Sequence, residues 1–501
     1  MESLRIILFS VFCFGMAITL KAERVDMLKS GAKADGKTLN TMLINHTVDR
    51  LSQAGGGTLF FPAGTYLTGA IRLKSNITLE LEAGATLLFS DNFDDYLPFM
   101  EVRHEGVMMK SFSPLISAMD AENITIKGEG TLDGQGKAWW TEFFRIYVDL
   151  EKNGMRELNK YQPLWEREND VEALYAETNE DWHGTLKRRF FRPPFIQPVR
   201  CRRVRIEGVK IINSPFWTVN PEFCDNVVVT GVTIHNVPSP NTDGINPESC
   251  RNVHISDCHI SVGDDCITLK SGRDAQARRL GVPCENITIT NCSFENIEKA
   301  ALRLRGSKGG SFEAARNYLV GSSRIKILNN SFYNLGGDAM LANSGGNRET
   351  LTSSENVFSN NYVEKVTQRT LCHAAVFIEG GIGWTIEHNV IHNIPFHAIN
   401  FFGNDHVIRY NDISNACMES TDAAVIYNGR SFVSRGSDVS YNYIHNYRIK
   451  GEGLHLDQVP GIYLDDNQCE VYMHNNIFKT GGIGIYINKG KDNEIKDNIM
   501  T

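Results

Sequence analysis

The chain has 501 residues, 42% of them hydrophobic and 22% charged, with a formal net charge of −8 and a pI near 6.0. That length suits one large elongated domain or about two to three globular ones, and the acidic balance leaves no polybasic surface for a nucleic-acid partner. With 43 glycines against 15 prolines, collagen-like and low-complexity classes are excluded.

Residues 1–22 read as a secretory signal. Arg5 gives a positive start, Ile6 to Leu20 is nearly all apolar, and Ala22 offers a cleavage position. The run is too short to span a bilayer comfortably, and Phe12 before Cys13 lacks the small residue of a lipoprotein signal. The mature protein is therefore expected to be secreted or periplasmic, with no membrane association beyond the signal. Next, Asn40 to Gln53 reads as one helix, with apolar Met42, Leu43, Val48 and Leu51. A short helix at the end of a coil would cover its open strand edges. Gly55-Gly56-Gly57 ends it, and Thr58 to Pro62 starts the first strand.

From there one phrase recurs: a polar residue, often Asn, then alternating apolar positions. Examples are Asn76 to Leu81, Asn123 to Ile126, Asn226 to Val229, Asn252 to Ile255, Asn286 to Ile289, Trp384 to Ile386, Val407 to Arg409 and Val471 to Met473. The spacing, roughly 20 to 35 residues, is that of a solenoid with variable loops. No single rung can bury its inward Val, Ile and Leu; stacked neighbours supply the partner surface. Asparagine tolerates left-handed backbone at the bends. The pattern predicts an all-β fold, a parallel β-helix. Asn76, Asn123 and Asn286 also match the N-x-Thr sequon, and the corner role is the preferred reading of them.

From Trp139 to Phe191 the rhythm breaks into a charged and aromatic stretch with helical periodicity. A helical insertion of about residues 139–191 is expected. Its aromatics either wall a sugar-binding cleft or form the core of a lateral subdomain. The eleven cysteines show no CxxC pair and sit mostly inside strand phrases. Buried free thiols are expected, with a bridge between neighbouring rungs as the alternative in an exported protein.

Two short phrases carry the chemistry, Asn241-Thr242-Asp243 and Gly263-Asp264-Asp265. Asp243 and Asp264 lie 21 positions apart, about one rung. Asp243, Asp264 and Asp265 are therefore expected to stack into one carboxylate cluster. An inverting glycosidase needs one protonated carboxyl for the leaving oxygen and an ionised one to activate water. Crowding carboxylates raises the proton affinity of at least one. The competing reading is ordinary aspartates at turns.

From about Val25 to Gly310 the chain resembles the polygalacturonase family, glycoside hydrolase family 28. The resemblance is carried by Gly31-Ala32-Lys33-Ala34-Asp35-Gly36, Pro62-Ala63-Gly64-Thr65-Tyr66, Gly130 to Gly136 and Asn213-Ser214-Pro215-Phe216-Trp217. Asn241-Thr242-Asp243-Gly244 and Gly263-Asp264-Asp265-Cys266 are its most specific parts. It implies a right-handed parallel β-helix that hydrolyses α-linked galacturonides of pectin by inversion, with neither metal nor cofactor. Asp264 would be the general acid, with Asp243 and Asp265 holding and activating the water. Asn241, Lys270, Arg303 and Arg305 are the substrate-binding candidates, and the implied partner is a pectin-type polysaccharide or oligogalacturonide. Lys270 is either a cation for a uronate carboxylate or a solvated surface lysine.

Two departures stand out. The family's Gly-His-Gly phrase has no counterpart in Asn291 to Ala301, which contains no histidine. Its Arg-Ile-Lys phrase has an imperfect echo in Arg303-Leu304-Arg305, followed by Lys308, Gly309 and Gly310. The literal copies, Arg324-Ile325-Lys326 and Arg448-Ile449-Lys450, lie in an ordinary strand phrase and too far downstream. Arg303 or Arg305 is the expected uronate ligand, against a surface ion pair.

Beyond about Tyr318 the resemblance fades into general β-helix rungs. His397, His406, Glu419, Asp422, Asp465 and Asp466 repeat there, as a second carbohydrate site or as solvated corners. The chain stops at Thr501 with a rung barely begun, which reads as truncation or as a join between two β-helix genes. The expected organisation is thus a signal (1–22), a family-28-like coil (23–317) and further rungs (318–501), in a monomer. Besides a pectin hydrolase, two readings stay open: a catalytically impaired carbohydrate-binding coil, and a glycosidase whose site lies in the C-terminal rungs.

Overall fold

The computed structural model describes residues 23–156, 158–238, 240–297, 299–305, 321–343, 345–347, 350–370, 373–420, 422–431, 433–447 and 459–501. The signal-like segment, Lys308-Gly309-Gly310, Arg448-Ile449-Lys450 and the boundary at 317/318 lie outside the described residues.

The chain winds as a parallel β-helix of three sheets. The first has fifteen strands stacked in chain order, from Glu23–Asp26 to Glu494–Lys496; the second has fourteen, from Gly64–Thr68 to Ile499–Met500. The third consists of three strands ending at Ile196–Val199 and eight beginning at Ile267–Lys270. Single bridge pairs at Val219 and Ile245 join the two blocks. The recurring phrase of the sequence is the first sheet. Its inward positions form one column, Leu79, Ile126, Ile206, Val229, Ile255, Ile289, Ile327, Phe358, Ile386, Ile408, Val439 and Met473, each in register with the next. All are buried. Each such burial contributes about 1.5–3 kcal/mol, and only the stack provides it.

The corner asparagines take left-handed backbone, with φ of 62° at Asn76, 56° at Asn123 and 53° at Asn286. Their amides also bond along the stack: Asn123 Nδ2 donates to Asn76 Oδ1 at 2.6 Å and Asn286 Nδ2 to Asn252 Oδ1 at 2.6 Å. A second ladder, buried up to its last member, was not expected. Asn330, Asn361, Asn389, Asn411, Asn442 and Asn476 each donate Nδ2 to the Oδ1 of the next, at 2.9–3.1 Å, and the run ends on Asn498. It satisfies the backbone at a turn that would otherwise bury unpaired groups.

Helix α1 (Thr41–Gln53) packs on the first rung through Ile44, Thr47, Val48 and Leu51. Met42, expected on its apolar side, is 87% exposed, because it lies about 200° around the helix from Ile44. The insertion is helical: α2 (Lys137–Asn153), α3 (Tyr161–Glu168), α4 (Val171–Glu177) and α5 (Glu180–Lys187). A further helix, α6 (Asp274–Leu280), and an antiparallel hairpin, Met100–His104 with Val107–Ser111, were not expected. The nine described cysteines are buried and unbridged.

Candidate active site

The acidic phrases sit at the corner that leads into the third sheet. Ile245 bridges Ile267, and Gly244 N donates to Asp265 O at 3.1 Å. Asp243 is therefore in register with Asp265, not with Asp264 as the 21-residue spacing predicted. The rung is one residue longer than that spacing, and a one-residue shift changes which side chain lies beneath which. Gly244 follows from the same stacking: a Cβ there would stand 2.5 Å from Cys266 O on the next rung.

Asp243, Asp264 and Asp265 are each largely buried yet all line one cleft of about 220 Å³. Asn241, Lys270, Arg303 and Arg305 line it too, so all seven catalytic and substrate-binding candidates of the family resemblance are brought to one place. Asp243 Oδ2 accepts from Asn246 Nδ2 at 3.0 Å and Lys270 Nζ at 3.3 Å. Asp264 Oδ2 accepts from Lys299 Nζ at 2.6 Å and Asn241 Nδ2 at 3.3 Å, while its Oδ1 takes the Asp265 N–H at 2.9 Å. Asp265 Oδ2 faces Arg303 Nε at 3.3 Å and Arg305 Nη2 at 3.8 Å.

Burial pushes Asp243 up to about 7; Lys270 opposes the shift, and the negative Asp264 and Asp265 reinforce it. Asp265 is raised as well, by burial first, against the pull of Arg303. Lys270 is not a solvated surface lysine. It is buried, burial lowers its proton affinity, and its ammonium sits 3.1 Å from the Trp217 ring centroid. Glu222, Glu248, Lys270 and Arg305 occupy one column on successive rungs, so Lys270 stands between Glu248 and Arg305. Arg103, from the hairpin, reaches Glu222 and Glu248 at 3.3 Å each.

Several cleft residues were missed by the sequence reading. Lys299 lies in the stretch inspected for a histidine, and a cation one rung beyond Asp264 was the available signal. Trp217 stood in a motif but was not taken as a contact. Glu105 and Arg273 also line the cleft; the first sits in the turn of a hairpin that has no repeat signature. Arg324, in an ordinary strand phrase, pairs on the coil surface with Glu285.

The six polar residues of the C-terminal rungs have separate surroundings. His397 and His406 are buried, both pushed down to about 4 by burial. Asp465 accepts from the Tyr427 and Tyr463 hydroxyls at 2.8 and 2.9 Å, Asp466 pairs with Arg430 at 3.3 Å, and Glu419 and Asp422 are exposed. Among the described residues no group of three His, Cys, Asp or Glu is arranged to hold a metal ion.

Residues 180–297 match the sequence model of Glycosyl hydrolases family 28, and residues 372–501 match that of Right handed beta helix region. A probable polygalacturonase of Vitis vinifera is 30% identical over 309 residues, covering 60% of this chain and 55% of that protein. An exo-poly-alpha-D-galacturonosidase of Dickeya chrysanthemi is 26% identical over 338 residues, covering 63% and 53%. The chain thus spans about half the length of these curated relatives. The crystal structure of a hyperthermoactive exopolygalacturonase from Thermotoga maritima superposes with a TM-score of 0.56 at 25% identity, over 96% of this chain and 92% of that one. The resemblance read from the motifs, and the right-handed β-helix it implied, are borne out. No helix among the described residues is long and apolar enough to cross a membrane.

Proposed function

We propose that this chain, which carries a family 28 glycosyl hydrolase region, is an exported enzyme that cleaves α-linked galacturonides of pectin with inversion. One observation carries the reading: three carboxylates from two adjacent rungs line a single cleft together with Lys270, Lys299, Arg303 and Arg305. Asp264 donates its proton to the leaving glycosidic oxygen as the bond from C1 breaks. Asp243 and Asp265 hold a water on the opposite face and take its proton as the new C1–O bond forms. Arg303 and Arg305, partly exposed above Asp265, take the uronate carboxylate. Lys299 stands where the family's histidine phrase is missing and holds Asp264 in place. That contact supports a working site over a decayed one. Export rests on the signal-like residues 1–22.

A second assignment of roles is favoured by the titration of Asp243. A carboxyl pushed to about 7 suits a general acid at neutral pH, with Asp264 then serving the water. An aryl galacturonide with a good leaving group distinguishes the two assignments, since loss of the true acid spares that substrate.

The primary test is release of reducing ends from digalacturonate and polygalacturonate. Asp264→Asn is expected to lower turnover about 10²–10⁴-fold, and NMR of the first product is expected to detect the β-anomer. Unchanged turnover in Asp264→Asn would overturn the site. Tight binding without turnover by the wild type would favour a carbohydrate-binding coil.

A further inference from the structure

The hairpin of Met100–His104 and Val107–Ser111 belongs to no rung, yet it is fixed at the cleft. Val102, Val107 and Met109 share a second hydrophobic core with Trp165 and Trp182 of the helical insertion, as the lateral-subdomain reading expected. Arg103 O accepts from Gln197 Nε2 of the third sheet at 3.0 Å. Two glycines let the hairpin approach: a Cβ at Gly272 would collide with Arg103 Nη2, and one at Gly106 would stand 2.9 Å from Glu248 Oε1.

Arg103 is buried between two buried carboxyls, with Nη1 3.3 Å from Glu222 Oε2 and Nη2 3.3 Å from Glu248 Oε1. Its guanidinium also lies 4.5 Å from the Phe223 ring centroid. Burial first, and then Glu248, push Glu222 well above the usual carboxylate range. Burial opposes the charge on Arg103, but the two glutamates outweigh it and raise its proton affinity. Neither oxygen of Glu248 has a hydrogen-bond partner, so opposite charge is what holds it. Glu248 is in register with Lys270 on the next rung, about 4.8 Å along the stack. Burial lowers the proton affinity of Lys270; Asp243, Glu248 and Asp265 support its charge, and Arg305 opposes it. Glu105, in the hairpin turn, faces Lys270 as well. A buried ammonium without such support gives up its proton.

We propose that Arg103 is a positioning residue of the catalytic site: it clamps Glu222 and Glu248 together, and the clamped Glu248 keeps the Lys270 ammonium charged between Trp217 and Asp243. This rests on the hydrolase reading of the cleft. Lys270 Nζ stands 3.1 Å from the Trp217 ring centroid and donates to Asp243 Oδ2 at 3.3 Å. The hairpin, which touches no reacting atom, thus acts on a catalytic carboxyl through two intermediaries.

The pH dependence of Trp217 emission, taken as the difference between each protein and its Trp217→Phe counterpart, follows the charge on Lys270 and needs no substrate. Lys270→Met should abolish that titration. Glu248→Gln, which keeps the shape of the side chain, is expected to move it down by about one to two pH units, the effect of one unit charge on the adjacent rung. Arg103→Met is expected to move it down too, because Glu248 then takes up a proton. A cation acting on Lys270 only through space would give the opposite sign, since its loss would move the titration up. Arg103→Lys keeps the charge but not the fork that spans both carboxyls, and should fall between. The alkaline limb of kcat/KM for digalacturonate should move with the emission in each variant. Thermal midpoints check folding, and if Arg103→Met does not fold, Glu248→Gln decides. No Trp217 titration in the wild type, an unmoved one in Glu248→Gln, or an upward shift in Arg103→Met overturns the proposal. If the wild type is inactive while its Trp217 titration shifts as described, the hydrolase reading fails and the clamp on Lys270 stands.

Discussion

Replacing Asp243 by Asn is expected to stabilise the protein increasingly as the pH rises. In the folded chain the carboxyl keeps its proton until about 7, against 3.8 for an ordinary aspartate. Between those values the unfolded state has released a proton that the folded state retains, so wild-type stability falls as pH rises. The difference of about 3 pK units corresponds to roughly 4 kcal/mol over the whole window. Asn mimics the protonated form, and its Oδ1 can still accept from Asn246 and Lys270, so the variant escapes that loss. With an unfolding entropy of about 2.1 cal/mol/K per residue, 4 kcal/mol is worth about 4 °C in a chain of 501 residues. Paired calorimetric scans from pH 4 to pH 8 should show the variant's advantage growing to that size, mostly by pH 7. The same variant should lose galacturonide hydrolysis, a trade of activity for stability. Midpoints that run parallel across this range would show that Asp243 does not titrate there, and the assignment of a neutral-pH acid would fall with it.

Lys299→Met, which removes the 2.6 Å contact to Asp264, is expected to lower kcat/KM for digalacturonate about tenfold, with partial recovery in Lys299→Arg. Initial rates with both variants check this. Asn389→Ala breaks one step of the buried amide ladder, where Asn389 donates to Phe358 O and Asn411 and accepts from Asn361. The cost of leaving such partners unsatisfied is about 2–4 kcal/mol, read as a fall of a few degrees in the thermal midpoint. The nine described cysteines are buried, so peptide mapping after thiol labelling should detect them only in denaturant.

The first sheet was legible because its strands are long enough to alternate and because each rung buries the same face. Strands such as Lys210–Ile212, Thr233–His235 and His259–Ser261 of the second sheet are three residues long. Three residues carry almost no period-two signal, which is why a whole sheet went largely unread. The amide ladder was visible only as scattered asparagines. The hairpin at Met100–Ser111 and helix α6 are local departures that no repeat announces.

By itself the sequence determined the winding, its corners and the three carboxylates that line the cleft, since alternation, left-handed asparagines and glycine-flanked aspartates are properties of a few adjacent residues. Tertiary structure alone decided the partners. Asp243 met Asp265 because of one extra residue in a rung, and Lys299 reached Asp264 from 35 positions away. Arg103 met Glu222 and Glu248 because an inserted hairpin folded back over the coil. Such contacts depend on loop lengths and on packing between distant segments, where one residue of slip exchanges one neighbour for another.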